Sequence, residues 1–575
     1  MDLRTNLSIR FLPLLLFVSL AANAAPKLRL DTTTIGPVSI AQGSNGTAQT
    51  VNALNAGDGA LNLRATTNAP WLNATVRPQT QCGFAGACIP VGLTLDTANL
   101  AKGTYTGVVT ISDPNAIDAP QTVTVTVAIG GGVPDSLTLY VPKSGGTVTE
   151  RFTTARPVSA TANPPANGPS LSVALSNTGS FEATTSYAYN VTSAANSATA
   201  EGTYNGSIVI SGSTVASENK TVPVTLNVTS KPVARFTNPN VFRIAQDAAK
   251  QTQYLIAGPA GSGFALGTVT AASASGTWLS AAVVGPYVGI TADPTGLKPG
   301  SYQGTVTIGS NAANSSVQVP VQLDIVTAGA PIIYYKGVKS NSTFTPEVFA
   351  QGDLPAVFGE QFTTGEAKVA TGAPWPTTLG GATVLINDIP VALYYVSPTQ
   401  INFQVPFEIP AGDAVLRVDR DGQRGNSVAI TVARSAPKLL IATDAQGNVA
   451  STPQLTLSNG VVSGGAATPV RAGDYLVIYS LGFGPTTPAV STGQAAPSNP
   501  LAGVPGITNV KFGAATPFAA GVSVTPLFVG MTPTYIGLYQ INVQIPLDSP
   551  RGPAVPVSVQ AESGSTTAPL LFNIQ

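Results

Sequence analysis

The 575-residue chain contains no histidine, two cysteines, two methionines and three tryptophans, and 9% of its residues are charged. Without histidine, a Ser-His-Asp triad, a Cys-His pair and every His-containing zinc site are excluded. Two cysteines in one short stretch cannot build a four-thiolate metal centre either. The charged fraction is far below the usual value of about 25%, and 27 basic side chains balance 27 acidic ones. No basic stripe is available to neutralise phosphates, so nucleic acid is not an expected partner. The sequence also lacks a phosphate-cradling glycine loop with its Lys and Ser/Thr, a dinucleotide-binding glycine fingerprint in a βαβ setting, and long helical periodicity. No cofactor or metal is expected. The amino-terminal apolar run is well short of the roughly 20 residues needed to cross a bilayer, and no later run is long and apolar enough either.

What is present is alternation. Hydrophobic residues make up 43% of the chain, and its 58 Gly and 47 Pro punctuate short alternating apolar runs, the pattern of an all-β protein. A chain of this length must form several domains. Nine residues are written three times: Gly103-Thr-Tyr105-Thr-Gly107-Val-Val-Thr-Ile111 returns from Gly202 as Gly-Thr-Tyr204-Asn-Gly206-Ser-Ile-Val-Ile210, and from Gly300 as Gly-Ser-Tyr302-Gln-Gly304-Thr-Val-Thr-Ile308. Starts at 103, 202 and 300 set a period close to the roughly 100 residues of an immunoglobulin-type sandwich. Leu100-Ala-Lys-Gly-Thr-Tyr105 and Leu297-Lys-Pro-Gly-Ser-Tyr302 have the order of a Greek-key tyrosine corner, in which the phenol bonds a backbone group a few residues upstream. Tyr204 has Thr199 where the leucine is expected, which predicts a looser corner. Trp71 and Trp278, on alternating strands ahead of the repeat, read as core.

Residues 1–24 have the form of a secretory signal, with Arg4 and Arg10 before the apolar run Phe11 to Leu20 and with Ala22-Asn-Ala24 as the cleavage site. Export would let Cys82 and Cys88 close a small disulfide loop that contributes about 2 kcal/mol in the loop-entropy model. Their C-x5-C spacing does not fit a redox C-x-x-C site.

The Trp-Leu pairs, the Leu-x-x-Gly-x-Tyr-x-Gly segments and the closing alternating strands of residues 26–327 resemble the bacterial immunoglobulin-like BACON group of modules. Some members of that group stand beside carbohydrate-active enzymes, so the resemblance implies sandwich modules with possible glycan contact. A second repeat occupies the remainder: Gln400-Ile-Asn-Phe-Gln-Val-Pro406 recurs from Gln540 as Gln-Ile-Asn-Val-Gln-Ile-Pro546, and Gly412 maps onto Gly552. With Gly352-Asp-Leu-Pro-Ala-Val-Phe-Gly359, Leu379 to Val384, Ala392 to Pro406, Gly473 to Gly484 and Tyr535 to Pro546, these segments resemble the Solibacter-type C-terminal domain, over nearly all of residues 331–575. That resemblance implies a carboxy-terminal module following diverse exported domains and implies no chemistry.

The resulting expectation is a tandem array of immunoglobulin-like β-sandwiches at 26–131, 133–229 and 231–327, followed by family sandwiches at 331–434 and 436–575. Linkers as short as Gly130-Gly-Gly132, Ser230-Lys-Pro232 and Thr327 to Pro331 predict neighbours in contact end to end, hence a rod. Alternation puts Gln400, Asn402 and Gln404 on a polar face of interest. Glu347, Asp353, Glu360 and Glu366 lie near one another in the chain and read as loop charges. A hydrolytic pair would need a fixed separation across a cleft. Asp419 to Asn426 reads as a hairpin turn and not a calcium loop. Asp96 and Asp293 read as turn residues. Trp375, Tyr334 and Tyr395 are the candidate ligand platform. The functional expectation is an exported, non-catalytic surface or extracellular protein acting in adhesion, structure or partner binding, its partner a surface protein or polysaccharide, with cleavage after Ala24 leaving it secreted, periplasmic or at the cell surface. The alternative is a carbohydrate-binding array, and a glycoside hydrolase is the remote one.

Overall fold

The computed structural model describes residues 25–575 except 84–85, 177–186, 237–239, 260–267, 286, 343–344, 346–347, 444–448, 452–453, 457–460, 464–468, 514–520, 562–566 and 568. Residues 1–24, which read in sequence as a secretory signal, lie outside the described residues. The chain is all-β, a tandem array of immunoglobulin-like sandwiches. Among the described residues, five hydrophobic cores, one per sandwich, hold it together.

In the first sandwich, Gly103–Ser112 pairs antiparallel with Gln121–Ile129, which also receives Thr34–Ile40 in parallel. Arg64–Thr67 completes that sheet. Leu28–Leu30, Gly46–Asn55, Ala87–Leu95 and Leu72–Val76 form the facing one. The opening segment therefore crosses between sheets and ends parallel to the last strand. The same parallel closure occurs as Leu137–Pro142 on Thr221–Thr229, Asn240–Ala245 on Val317–Val326 and Phe349–Ala350 on Gln423–Ala433. In the fifth sandwich it contracts to a bridge between Val470 and Ile574.

The nonapeptide is the penultimate strand of each of the first three sandwiches. Its first glycine has φ of 155°, 149° and 156° at Gly103, Gly202 and Gly300, and Gly412 and Gly552 begin the equivalent strands with φ of 133° and 149°. A side chain rarely adopts that backbone, so one glycine requirement links the two repeat families. The second glycine answers to packing. A Cβ at Gly107 would stand 2.9 Å from Leu72 and 3.2 Å from Trp71, and one at Gly304 would stand 2.8 Å from Leu279 and 3.0 Å from Trp278. Both tryptophans are buried in their cores.

The domains do not form the end-to-end rod that the short linkers predict. The first sandwich touches the fourth: the Asp118 amide donates to the Ser427 carbonyl at 2.9 Å, the Ala429 amide donates to Asp118 Oδ1 at 2.9 Å, and Asn426 Nδ2 donates to the Ala119 carbonyl at 3.0 Å. The reason lies in the sheet edge. Gln423–Ala433 pairs on one side with Gly412–Arg420, but on the other only its last residues pair, with Phe349–Ala350. Its amino-terminal half is an open edge, and an open edge presents unpaired N–H and C=O groups that another chain segment can cover. Asp118–Ala119 covers it. Because the third sandwich also bonds the fourth, Arg243 Nε to Glu360 Oε2 at 2.7 Å and the Ala249 amide to the Thr364 carbonyl at 2.8 Å, the first four sandwiches close on themselves.

Candidate functional site

Polar groups that read as surface chemistry in the sequence are concentrated at seams between domains. At the first seam the carboxylate of buried Glu218 accepts from the Gly132 amide at 3.0 Å, from the Ala155 amide at 3.2 Å, and from the Ser213 hydroxyl. One side chain thus fixes the Gly130-Gly-Gly132 linker. Glu360 is engaged by Arg243. Asp353 is 1% exposed in its side chain and accepts from Lys438 Nζ at 2.7 Å; the same ammonium donates to the Val348 carbonyl at 3.0 Å and lies 5.2 Å over the Phe349 ring. Of the four carboxylates grouped by sequence, two are therefore domain clamps and Glu366 is exposed. Glu347 lies outside the described residues.

The polar face of Gln400-Ile-Asn-Phe-Gln is turned inward at its end. Gln404 is fully buried, and its Oε1 accepts from the Gly493 amide of the fifth domain at 2.6 Å. The Phe407 amide donates to Thr492 Oγ1 at 3.1 Å, and the Thr492 hydroxyl donates to Glu408 at 2.8 Å. The Phe407 ring packs against the fifth core. Buried Tyr539 donates its hydroxyl to the Gly484 carbonyl at 2.6 Å. Burial, helped by the Asp353 charge, pushes that hydroxyl above its ordinary pKa.

The fifth domain repeats this construction without a cover. The Gly352 amide donates to the Val405 carbonyl and the Gly473 amide to the Ile545 carbonyl, both at 2.8 Å. Asp353 accepts from the Ala350 amide as Asp474 does from the Arg471 amide. Gln544 Nε2 donates to the Gly473 carbonyl at 3.0 Å where Gln404 Nε2 reaches toward that of Gly352. Gln544 is exposed, and Leu547, in the place of Phe407, is 79% exposed. The correspondence of Gly352-Asp353 with Gly473-Asp474 was legible as a repeated Gly-Asp pair before an apolar strand, a signal that the reading by longer motifs passes over.

Trp375, Tyr334 and Tyr395 do not assemble into one platform. Trp375 stacks at a tilt on Tyr394, with centroids 5.1 Å apart, and its backbone N–H bonds the Gly493 carbonyl at 3.0 Å. It belongs to the seam between the fourth and fifth domains. The pairing of Ala392–Val396 with Gln400–Gln404 shifts register between Leu393 and Tyr395, so Tyr394 occupies a bulge and turns outward. Tyr334 lies in a second irregularity, between Ile333 and Val338. The residue is 42% exposed, but its hydroxyl end meets Glu360, and desolvation followed by that charge raises its pKa. Tyr395 is half-buried on Ala392–Val396, separated in the sheet by two strands from the Ile332–Ser340 strand that carries Tyr334, and alternation along the sequence cannot foresee that spacing.

The remaining candidates are structural. Cys82 and Cys88 are joined, with Cα atoms 5.7 Å apart. The hydroxyls of Tyr105, Tyr204 and Tyr302 donate to the carbonyls of Ala101, Ala200 and Lys298 at 3.1, 3.0 and 2.9 Å. The second corner is as tight as the others, contrary to expectation, because Thr199 is held by Asn196: its amide and hydroxyl donate to Asn196 Oδ1 at 2.9 and 3.0 Å. The Asp96 and Asp293 amides bond the Trp71 and Trp278 carbonyls at 2.7 and 2.8 Å. Asp419 to Asn426 contains a two-residue hairpin turn, Asp421 and Gly422 both having positive φ. Among the described residues no group of three acidic or cysteine ligands is placed to hold a metal, and no helix is long and apolar enough to cross a membrane.

Two clefts flank the contact between the first and fourth domains. One, of 700 Å3, is lined by the Lys27 to Thr34 segment together with Tyr335, Lys336 and Phe349. The other, of 1110 Å3, has Arg64 and the Ser112 to Pro120 segment on one wall and Asn387, Asp388, Arg417 and Arg424 on the other. Asn387 and Asp388, with φ of 50° and 63°, form the two-residue tip of a hairpin, the geometry that Asn and Asp tolerate best. Arg417 ties the tip down by donating to Asp388 at 2.9 Å and to Asp419 at 2.8 Å. Asp113 accepts from the Asn62 and Asn115 amides at 2.7 and 2.9 Å.

The architecture defines a protein of tandem immunoglobulin-like β-sandwiches. No family model and no curated protein matches the chain. Among solved structures it is similar to an endo-fucoidan hydrolase of glycoside hydrolase family 107 at 11% identity and a TM-score of 0.19, over 53% of this chain and 45% of that one. It is also similar to the extracellular domain of protocadherin gamma B4 at 14% identity and a TM-score of 0.15, over 96% and 85% of the two chains. Drosophila N-cadherin EC1-3 is similar at 11% identity and a TM-score of 0.20, over 52% and 100%. The chain thus spans less than half of the hydrolase, and none of these values carries an argument about activity.

Proposed function

We propose that the chain is an exported, non-catalytic protein of the cell surface or extracellular matrix, working in adhesion, structural support or partner binding. The observation that supports this reading is the use of its buried charges. Glu218, Asp353 with Lys438, and Glu360 with Arg243 all bind one domain to the next, so rigid spacing is where the sequence places groups that are costly to bury. The partner class is a surface protein or a polysaccharide. Residues 26–327 and 331–575 are proposed as BACON-type and Solibacter-type modules respectively. A carbohydrate-binding reading draws on one further observation, the exposed Tyr394 ring stacked on half-buried Trp375, since aromatic rings carry much of a recognition energy. The test is to present the full chain with immobilised surface polysaccharides and outer-surface protein extracts while assaying new reducing ends. Retention without cleavage is the expected result. Release of reducing ends that survives purification to homogeneity overturns it.

A further inference from the structure

The larger cleft between the first and fourth domains is lined by arginine from both sides. Three guanidinium groups line it, and among the described residues only one of them is ion-paired. Arg417 is held by Asp388 and Asp419, whereas among the described residues Arg64, on the first domain, and Arg424, on the fourth, have no ion-pair partner. The acidic residues of the lining are already engaged, Asp113 by backbone amides and Asp388 by Arg417. The cleft therefore keeps two guanidinium groups without an ion pair among the described residues, one on each wall.

Resting on the polysaccharide-partner reading above, we propose that this cleft binds a segment of acidic polysaccharide, with Arg64 and Arg424 each taking a carboxylate or sulfate group. A guanidinium presents a planar fork of donors that matches either anion. The rest of the lining suits hydroxyls: Ser112, Asn115, Asn387 and Ser427 accompany the arginines, and no lining residue is aromatic. The lack of rings disfavours single-stranded nucleic acid, whose bases need stacking platforms. A volume of 1110 Å3 exceeds what one small anion fills and lies just above the usual range of small-molecule sites, about 300–1,000 Å3. Both walls are built firmly. Arg64 begins a strand registered on Ser112, and Arg424 stands opposite Asp419 in the hairpin whose own carboxylate is held by Arg417 and the Gly425 amide. The walls are brought together by Asp118 and Asn426, so the site exists only when the first domain is docked on the fourth.

The experiment measures binding of the full chain to oligogalacturonate and to dextran sulfate, with unsulfated dextran and double-stranded DNA as controls. The expected result is binding to at least one of the two acidic polysaccharides, weakened by added salt, with none to dextran. The two acidic probes separate a carboxylate preference from a sulfate preference. Arg64→Gln and Arg424→Gln should each weaken it about tenfold, the size of one lost charge-assisted contact. Both side chains are exposed, so the variants should keep their fold. Asp118→Ala, which leaves both arginines in place but loosens the docking, should weaken binding as well. Absence of binding to both acidic probes, equal affinity for DNA, or binding unchanged by the arginine substitutions would overturn the proposal. Binding unaltered in Asp118→Ala would overturn the two-walled site.

Discussion

Replacing Lys438 with methionine tests whether the fourth and fifth domains are one mechanical unit. The ammonium makes two bonds, to Asp353 Oδ2 at 2.7 Å and to the Val348 carbonyl at 3.0 Å, with side-chain exposures of 8% and 1% for the pair. Lys438→Met keeps the apolar stem and removes the charge, leaving the Asp353 carboxylate buried with only the weak Ala350 and the Leu354 amides as donors. Breaking a buried pair in this way costs about 3–5 kcal/mol. Removing both charges, as in Asp353→Asn with Lys438→Met, should recover much of the loss, because no uncompensated ion remains. The assay is urea denaturation followed by Trp375 fluorescence in a Trp71→Phe, Trp278→Phe background, where Trp375 reports from the seam through its bond to Gly493. A single-variant midpoint shift worth less than about 1 kcal/mol, the range of exposed pairs, would refute the claim that this pair is a buried clamp. A double variant as unstable as the single would refute the charge-burial explanation.

The two copies of the glutamine face give a matched comparison. Gln404→Ala leaves the Gly493 amide without its acceptor and should cost about 1–3 kcal/mol, whereas Gln544→Ala, exposed, should stay within about 0.5 kcal/mol; equal costs by thermal denaturation would contradict the difference in burial. Gly304→Ala should destabilise the third domain by about 1–3 kcal/mol through overpacking against Leu279 and Trp278, and an unchanged midpoint would show that the strand yields freely. Tyr302→Phe removes the bond to Lys298 and should cost about 0.5–1.5 kcal/mol in the same measurement; no loss would mean that the hydroxyl is satisfied by water alone. Desolvation raises the Asp118 pKa in the docked state, against the lowering effects of the Ala429 amide and Lys27. Docking of the first domain on the fourth should therefore be strongest below the ordinary carboxylate pKa of about 4 and weaken as pH rises through the raised value. Energy transfer between labels on the two domains should fall over that window in the parent and stay flat in Asp118→Asn; a rise with pH would reverse the sign and refute the argument.

Sequence alone carried whatever depends on neighbours along the chain or on a period. Alternation and glycine punctuation point to strands. Gly-x-Tyr-x-Gly predicts a corner because its three parts lie within a few residues, and the bonds from Tyr105, Tyr204 and Tyr302 each span four residues. Cys82 and Cys88 are paired by proximity for the same reason. Tertiary structure alone decided which polar groups face water. Gln404 and Gln544 occupy the same place in the same motif, yet one is sealed by the Thr492–Gly493 turn and the other is open, a difference set by a partner domain about ninety residues away. The outward turn of Tyr394 comes from a register shift that no periodicity encodes. The docking of Asp118 on Ala429, across 311 residues, arises because one half of a strand edge in the fourth sandwich lacks a neighbour; the same docking brings Arg64 and Arg424 into one cleft. An unpaired edge becomes visible only once every strand has its place, and that is why a sequence reading as a rod folds into a chain that returns to itself.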